Sequence, residues 1–102
     1  MHSMNNKEVL KLYRTFYILG DNTNLKILFE LDRYGEKTFT ELKNNLSINP
    51  ATLSKKLKIL TQVGLIAPDK SHDFLRVYYS LHNNQRSLKK ILDSIERMSA
   101  EL

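Results

Sequence analysis

The chain has 102 residues, of which 41% are hydrophobic and 26% charged, a composition that supports one domain with a buried core and excludes a disordered chain. It contains no cysteine, so a disulfide scaffold, a thiolate metal site and a cysteine nucleophile are all excluded. No apolar run approaches the roughly 20 residues of a membrane-spanning helix, and the N-terminus lacks the apolar core of a secretory signal. We therefore expect a single-domain cytoplasmic protein, residues 1–102, with no membrane partner.

The formal net charge of +5 is concentrated in one part of the chain. Residues 1–36 contain as many acidic as basic side chains, whereas residues 37–58 contain five lysines against one glutamate. Residues 59–102 add one further positive charge. A basic segment of this kind attracts polyanions, although such a segment taken alone is more often only a solvated face.

Two amphipathic helices are predicted in the first third of the chain. The first spans about residues 6–19 and ends at Gly20. It places apolar side chains at three- and four-residue steps, namely Val9, Leu12, Tyr13, Phe16 and Leu19. Asp21 can cap the second helix through its carboxylate, and Gly35 is suited to end it. The buried side of the second helix is expected to consist of Leu25, Leu28, Phe29 and Leu31.

A third and a fourth helix follow, separated by a short turn. The sequence TFTE at residues 38–41 matches a capping box and predicts a short third helix to about residue 46. Asn49 is placed to cap the fourth helix, about residues 50–63. Pro50 would occupy the first position of that helix, where its missing N–H costs nothing.

The fourth helix has two different sides. At about 100° per residue, one narrow sector holds the residues expected in the core, Leu53, Leu57 and Leu60. The opposite side holds small and basic residues, Ala51, Thr52, Ser54, Lys55, Lys58 and Gln62. A short helix, a turn and such a helix form a helix-turn-helix, whose second helix lies in the DNA major groove. There lysine reaches phosphates or guanine acceptors, hydroxyls reach phosphates or base edges, and alanine can touch a thymine methyl.

After Gly64 the spacing of apolar residues changes from the helical pattern to an alternating one. Residues 65–81 alternate and have a polar tip, which predicts a β-hairpin, and Pro68 indicates an edge strand. The alternation places Leu75, Val77, Tyr79 and Leu81 on one face of the strand and Arg76, Tyr78 and Ser80 on the other. A last amphipathic helix is predicted over about residues 84–101. The predicted fold is therefore mostly α with a small β-hairpin, in the order four helices, hairpin, helix.

Four segments together resemble the winged helix-turn-helix transcriptional regulators of the ArsR and HxlR type: LGDNTNLKILFEL, TFTELKNNL, INPATLSKKLKILTQVGLI and RVYYSL. They cover about residues 18–82 in the expected order. The third segment is similar to the HxlR pattern, whereas the short hairpin DKSHDFLRVYYSL is closer to ArsR, so both subfamilies stay open. The resemblance implies a sequence-specific regulator that binds double-stranded DNA, and favours a repressor that acts as a homodimer.

The resemblance also assigns candidate DNA contacts, with residues 50–63 as the recognition helix and residues 65–81 as the wing. The candidates from the recognition helix and its cap are Asn49, Ala51, Thr52, Ser54, Lys55, Lys56 and Lys58. Those from the wing and the third helix are Lys70, His72, Arg76 and Thr40. Lys56 lies nearer the core edge on the helical wheel, which favours a phosphate contact. Tyr79 is expected to pack inside, and Tyr78 to be either a packing residue or a phosphate donor.

The first and last helices have apolar faces that a domain of this size can leave uncovered. In the resembling family these helices form a two-fold dimer, which brings two recognition helices to successive major grooves about 10 bp apart. The alternative is that both faces pack onto their own domain. The candidate dimer contacts are Leu12, Phe16, Leu92 and Ile95.

Motifs for metals and catalysis are missing from the sequence. The third-helix segment KTFTEL has no cysteine, and the last helix has no histidine. His2, His72 and His82 form no pair at ligand spacing, so no metal site and no cofactor are expected, while the existence of a small-molecule effector stays open. No nucleotide-binding or hydrolase motif occurs, which argues against an enzyme. Two alternatives stay open, a winged-helix module that binds another protein and a nonspecific DNA-packaging protein.

Overall fold

The computed structural model describes residues 3–83 and 85–102, which form five helices and three short strands. In chain order these are α1 (Asn6–Leu19), α2 (Asn22–Tyr34), β1 (Lys37–Thr38), α3 (Phe39–Leu46), α4 (Pro50–Gln62), β2 (Ile66–Asp69), β3 (Tyr78–Leu81) and α5 (Arg86–Glu101). The predicted order of helices and hairpin is confirmed, with β1 as an addition. Residue 84, the predicted start of the last helix, and His2 lie outside the described residues. No described helix has both the length and the apolar character needed to cross a membrane.

Side chains at the starts of α2, α3 and α4 provide the caps that the sequence predicted. Asp21 accepts an N–H from the first turn of α2 at 2.8 Å. Thr38 and Glu41 form both halves of the capping box at α3. Asn49 accepts an N–H from the first turn of α4 at 2.9 Å. Because each cap needs only residues a few positions apart, the sequence alone was sufficient to predict it.

The turn between α3 and α4 sets the direction of α4. Ser47 ends α3 in the left-handed conformation (φ 52°, ψ 48°), and its N–H bonds to the carbonyl of Lys43. The next side chain, Ile48, is buried in the core. Ile48 thereby fixes the turn to the body of the domain, and α4 starts two residues later.

The core lies between α2, α3, α4, α5 and the edge strand β2. Its buried apolar side chains are Ile27, Leu28, Leu31, Leu42, Ile48, Leu53, Leu57, Leu60, Ile66, Leu88 and Leu92. All three leucines that were predicted to face inward from α4 belong to it. In α2 the prediction was incomplete, because Ile27 is fully buried, whereas Leu25 and Phe29 are only partly buried. Each fully buried aliphatic side chain contributes about 1.5–3 kcal/mol relative to exposure.

The three strands form an antiparallel sheet in the order β1-β3-β2. Thr38 of β1 pairs with Tyr78, and on the other side of β3 Pro68 of β2 pairs with Tyr79. Pro68 therefore lies in an edge strand, as predicted, where its lack of an N–H leaves no central ladder position unpaired. Tyr79 packs against the core, which confirms its predicted inward position.

The second hairpin strand is shorter than the alternation predicted. It starts at Tyr78, because its partner β2 ends at Asp69, the residue that pairs with Tyr78. Residues before Tyr78 form local turns instead: Asp73 accepts the N–H of Leu75 at 2.6 Å. Side-chain bonds of this type compete with the strand ladder. Leu75 is consequently 92% exposed, so its predicted place in an alternating strand was wrong.

The two terminal helices differ in how they attach to the core. No residue of α1 is buried. The side-chain amide of Asn24 donates to the carbonyl of Ile18 at 3.0 Å and links the end of α1 to α2. In α5, by contrast, Leu88 and Leu92 are buried within the chain. Leu92 is thus a core residue, and its prediction as a dimer contact was wrong because the helix uses it to pack on its own domain.

Candidate nucleic-acid interface

Three buried leucines fix the rotation of α4 about its axis. Leu53 and Leu60 are fully buried, and Leu57 is 3% exposed. The opposite side therefore points to solvent, and it carries the exposed residues Ala51, Thr52, Ser54, Lys55 and Lys58. This placement agrees with the helical wheel, while contact with DNA stays a prediction for each of these residues.

The N-terminal end of α4 is open to solvent. The oxygen of the Asn49 side chain accepts the N–H of Ala51 at 2.9 Å and that of Thr52 at 3.4 Å. All three residues are exposed. The end of α4 that carries the positive pole of the helix dipole thus presents only small side chains. In helix-turn-helix proteins this end of the second helix contacts base edges.

Lys56 differs from the other lysines of α4. Its Nζ lies 3.1 Å from Oδ1 of Asp21, the capping residue of α2, and its side chain is 26% exposed. The N–H of Asn24 and, to a smaller extent, the Lys56 ammonium hold the pKa of Asp21 below its ordinary value of 3.8. Lys56 therefore connects the middle of α4 to the start of α2. Its ammonium already has a partner within the protein, whereas the sequence had favoured a phosphate contact for it.

Two adjoining clefts connect the predicted contacts of α3, α4 and the wing. One cleft lies between the start of α3 and the segment leading into β3, and Thr40 and Arg76 line it. The next cleft lies between α4 and β2, and Ser54 and Lys58 line it. The clefts share two aromatic lining residues, Phe39 and Tyr79. The fold therefore brings residues from three separate parts of the chain to two neighbouring clefts.

The wing places its basic residues in two environments. Lys70 and Arg76 are exposed, and the closest carboxylate oxygen to Arg76 Nε is on Asp73, at 3.8 Å. His72 instead contacts the body of the domain, where its Nε2 lies 3.1 Å from Oε1 of Glu36. Sequence analysis did not find Glu36, because 36 positions separate the two residues and no local pattern links them. The ring of Tyr78 meets the His72 ring edge-on at 4.8 Å, which gives Tyr78 a packing contact.

The fold also brings together side chains that the sequence did not group. Within residues 3–83 and 85–102, one set of histidine and carboxylate side chains has ligand atoms close enough to share an ion: Glu36, Asp69 and His72. These three residues are called the wing cluster below. The sequence analysis compared only positions along the chain and found no partner for any histidine. In the folded chain, His72 has two carboxylates beside it.

The chain matches one protein family and is similar to several solved structures. Residues 18–102 match the family model described as HxlR-like helix-turn-helix. Among solved structures, the chain is similar to HlyU from Vibrio cholerae N16961, with 23% identity and a TM-score of 0.75 over 92% of this chain and 97% of HlyU. Rv0081 from M. tuberculosis is 20% identical with a TM-score of 0.80 over 96% of this chain and 93% of Rv0081.

A third similar structure is that of ytcD, a putative HTH-type transcriptional regulator. It is 28% identical to this chain, with a TM-score of 0.75 over 96% of both chains. A comparison with curated proteins gave no match. The structural matches confirm the winged helix-turn-helix fold, and the family match covers most of the chain, from the end of α1 onward. The chain belongs to the HxlR-like helix-turn-helix family, a family of DNA-binding transcriptional regulators.

Proposed function

We propose that the protein is a cytoplasmic, homodimeric repressor that reads the sequence of double-stranded DNA with α4 in the major groove. The observation that carries this proposal is the exposed side of α4. Small side chains lie at its open end, and Lys55 and Lys58 follow. In the part of the chain that the structure describes, neither lysine forms an ion pair. Both ammonium groups are therefore available to phosphates or guanine bases.

The proposed contacts divide into two groups by the chemistry of the side chains. Base edges are assigned to the open end and outer side of α4, through Ala51, Thr52, Ser54, Lys55 and Lys58. Phosphates are assigned to the residues around it, namely Thr40, Asn49, Lys70 and Arg76. Lys56 is assigned a positioning role through Asp21 in place of a direct base contact. His72 is assigned to the wing cluster, which leaves Lys70 and Arg76 as the basic groups of the wing.

The dimer is supported by apolar side chains that the single chain leaves exposed. In α1 the exposed fractions are 44% for Leu12, 64% for Tyr13 and 73% for both Phe16 and Tyr17. In α5, Ile91 and Met98 are 40% and 65% exposed. Exposed aromatic and aliphatic groups of this number are typical of an interface between proteins. A two-fold dimer would cover them and present two copies of α4 to one face of the DNA. A dimer bound across a promoter blocks access to it, which makes repression the expected result.

The test compares two double variants that remove the same charge from different helices. Lys55→Ala/Lys58→Ala changes the outer side of α4, and Lys89→Ala/Lys90→Ala changes exposed lysines of α5. Fluorescence anisotropy with a selected duplex measures the affinity of each. We expect the α4 variant to lose about 1–3 kcal/mol for each lysine that contacts a base, and the α5 variant to change little. Equal affinity of the two variants would contradict the proposed interface.

An unrelated duplex in the same experiment separates the two kinds of contact. If the α4 lysines bind only phosphates, the α4 variant weakens binding to the selected and the unrelated duplex alike. If they read bases, the loss is larger for the selected duplex, and the preference for it shrinks.

A further inference from the structure

The wing cluster joins three separate segments of the chain. Glu36 lies in the link between α2 and β1, Asp69 ends β2, and His72 lies in the wing loop. Each side chain offers one ligand atom, and these atoms all lie within 4.8 Å of one another. All three side chains are between 43% and 45% exposed, so an ion from solvent can reach them.

Two of the three separations between the ligand atoms are close to those around a bound ion. Nε2 of His72 lies 3.1 Å from Oε1 of Glu36 and 3.4 Å from Oδ2 of Asp69. Ligand atoms held roughly 2.0–2.2 Å from a tetrahedral Zn²⁺ are about 3.3–3.6 Å apart, which is the edge of the tetrahedron. These two separations therefore need to change by only a few tenths of an ångström, and the third, between the carboxylate oxygens of Glu36 and Asp69, lies within 4.8 Å.

The charges in the wing cluster also call for a cation. Two carboxylate oxygens converge on one imidazole nitrogen, and a neutral imidazole has at most one proton to donate there. The nearby ammonium of Lys37 contacts two backbone carbonyls, of Tyr34 and Glu36. With a neutral imidazole, the two carboxylates carry two negative charges, which one divalent cation neutralises.

Neighbouring groups orient two of the three ligands. Oδ1 of Asp69 accepts the N–H of Ser71 at 2.8 Å, which leaves Oδ2 facing His72. The edge-on contact with Tyr78 restricts the rotation of the His72 ring. Contacts of this kind fix ligand geometry around a metal before the ion binds.

We propose that Glu36, Asp69 and His72 bind one divalent transition-metal ion, with water completing the coordination. One imidazole nitrogen and two carboxylate oxygens suit Zn²⁺ or Co²⁺, whereas Mg²⁺ and Ca²⁺ prefer oxygen ligands alone. The bound ion ties the wing loop to the segment that precedes β1. It thereby fixes the wing, with Lys70 and Arg76, against the body of the domain.

The test is a titration of the full chain with Zn²⁺ in competition with a chromophoric chelator, and with Co²⁺ followed by its visible absorption. We expect one ion per chain, and no displacement by Mg²⁺. Glu36→Gln and His72→Gln should each weaken Zn²⁺ binding by at least about tenfold. Because both side chains are nearly half exposed, both variants should keep the circular dichroism and thermal midpoint of the parent.

A matched control removes the other two histidines and keeps the wing cluster. The double variant His2→Gln/His82→Gln should bind Zn²⁺ as tightly as the parent. Loss of binding in this control, unchanged binding by His72→Gln, or no saturable binding by the parent would each overturn the proposal. No DNA is present in these titrations, so their failure leaves the proposed DNA-binding function untouched.

Discussion

Lys55, Lys56 and Lys58 lie within about one turn of α4, yet their surroundings differ. Lys55 and Lys58 are exposed, whereas Lys56 is half-buried beside Asp21. A partly exposed pair of this kind contributes at most about 1 kcal/mol to stability. Its main effect is geometric, because it connects the recognition helix to the capped start of α2. The same residue type therefore has two roles in one segment, and burial distinguishes them.

Replacing Lys56 by methionine tests this distinction. Lys56→Met removes the ion pair and keeps most of the side-chain volume. We expect the free energy of unfolding to fall by no more than about 1 kcal/mol. We also expect a smaller loss of DNA affinity than for Lys55→Met or Lys58→Met. Urea denaturation and anisotropy give the two quantities. Unchanged stability together with an affinity loss as large as that of Lys58→Met would show that Lys56 contacts DNA directly.

At the level of elements, α2 and α4 are linked by the carboxylate of Asp21. It caps α2 through the N–H of Asn24 and pairs with Lys56 of α4. Since these contacts lower the pKa of Asp21 in the folded protein, the folded state binds fewer protons than the unfolded state when the pH is low. The stabilisation is therefore complete above the ordinary pKa of 3.8 and is lost as the pH falls through the lowered value.

Asp21→Asn should reduce this acid sensitivity. Asparagine is about as good a capping residue as aspartate, so the change removes mainly the charge. We expect the variant to be less stable than the parent at neutral pH by roughly 0.5–1 kcal/mol, with the difference shrinking as the pH falls below 3.8. Urea denaturation across this pH range measures it. Asp93→Asn, at an exposed position of α5, is the matched control. A difference that stays constant with pH would contradict the assigned role of the Asp21 charge.

The elements that the sequence predicted correctly are those that depend on nearby residues. The caps at Asp21, Thr38 and Asn49 need partners within three positions, and the leucines of α4 follow a helical period. The strand β1 and the contact between His72 and Glu36 depend instead on partners far along the chain, and the late start of β3 depends on where β2 ends. For α5 the helical period placed Leu92 on the apolar side of the helix. Only the packing shows that this side chain is buried in the core of its own domain.

At the scale of the whole molecule, the most prominent surface without a partner in the single chain is the exposed apolar side of α1. The rings of Tyr13 and Tyr17 lie 6.3 Å apart between centroids and are tilted by 32°, and Phe16 on the same helix is 73% exposed. No residue of α1 is fully buried, and the helix packs against the core through Ile18 and Leu19 at its end, so most of its length gains little from its own domain. A second copy of the chain would supply the missing contact and would also stabilise α1.

Phe16→Glu should therefore disrupt the dimer without unfolding the domain. A charged group at an apolar interface is costly to bury, whereas at an exposed position of the monomer it is tolerated. We expect the parent and the control Tyr34→Glu, which changes a 66% exposed aromatic residue of α2, to sediment as dimers. Phe16→Glu should sediment as a folded monomer and bind DNA more weakly. A parent protein that stays monomeric at micromolar concentration would contradict the proposed dimer.

The most direct test of the central claim, that a dimer reads DNA sequence with α4, is an in vitro selection from random duplexes at physiological salt. We predict enrichment of an inverted repeat with half-sites about 10 bp apart. Affinity for that site should fall with salt at a log–log slope of about 0.9 for each phosphate neutralised. Salt-sensitive binding without enrichment of any sequence would contradict sequence reading and favour nonspecific packaging. No binding at all would contradict DNA recognition and point to a protein partner for α4.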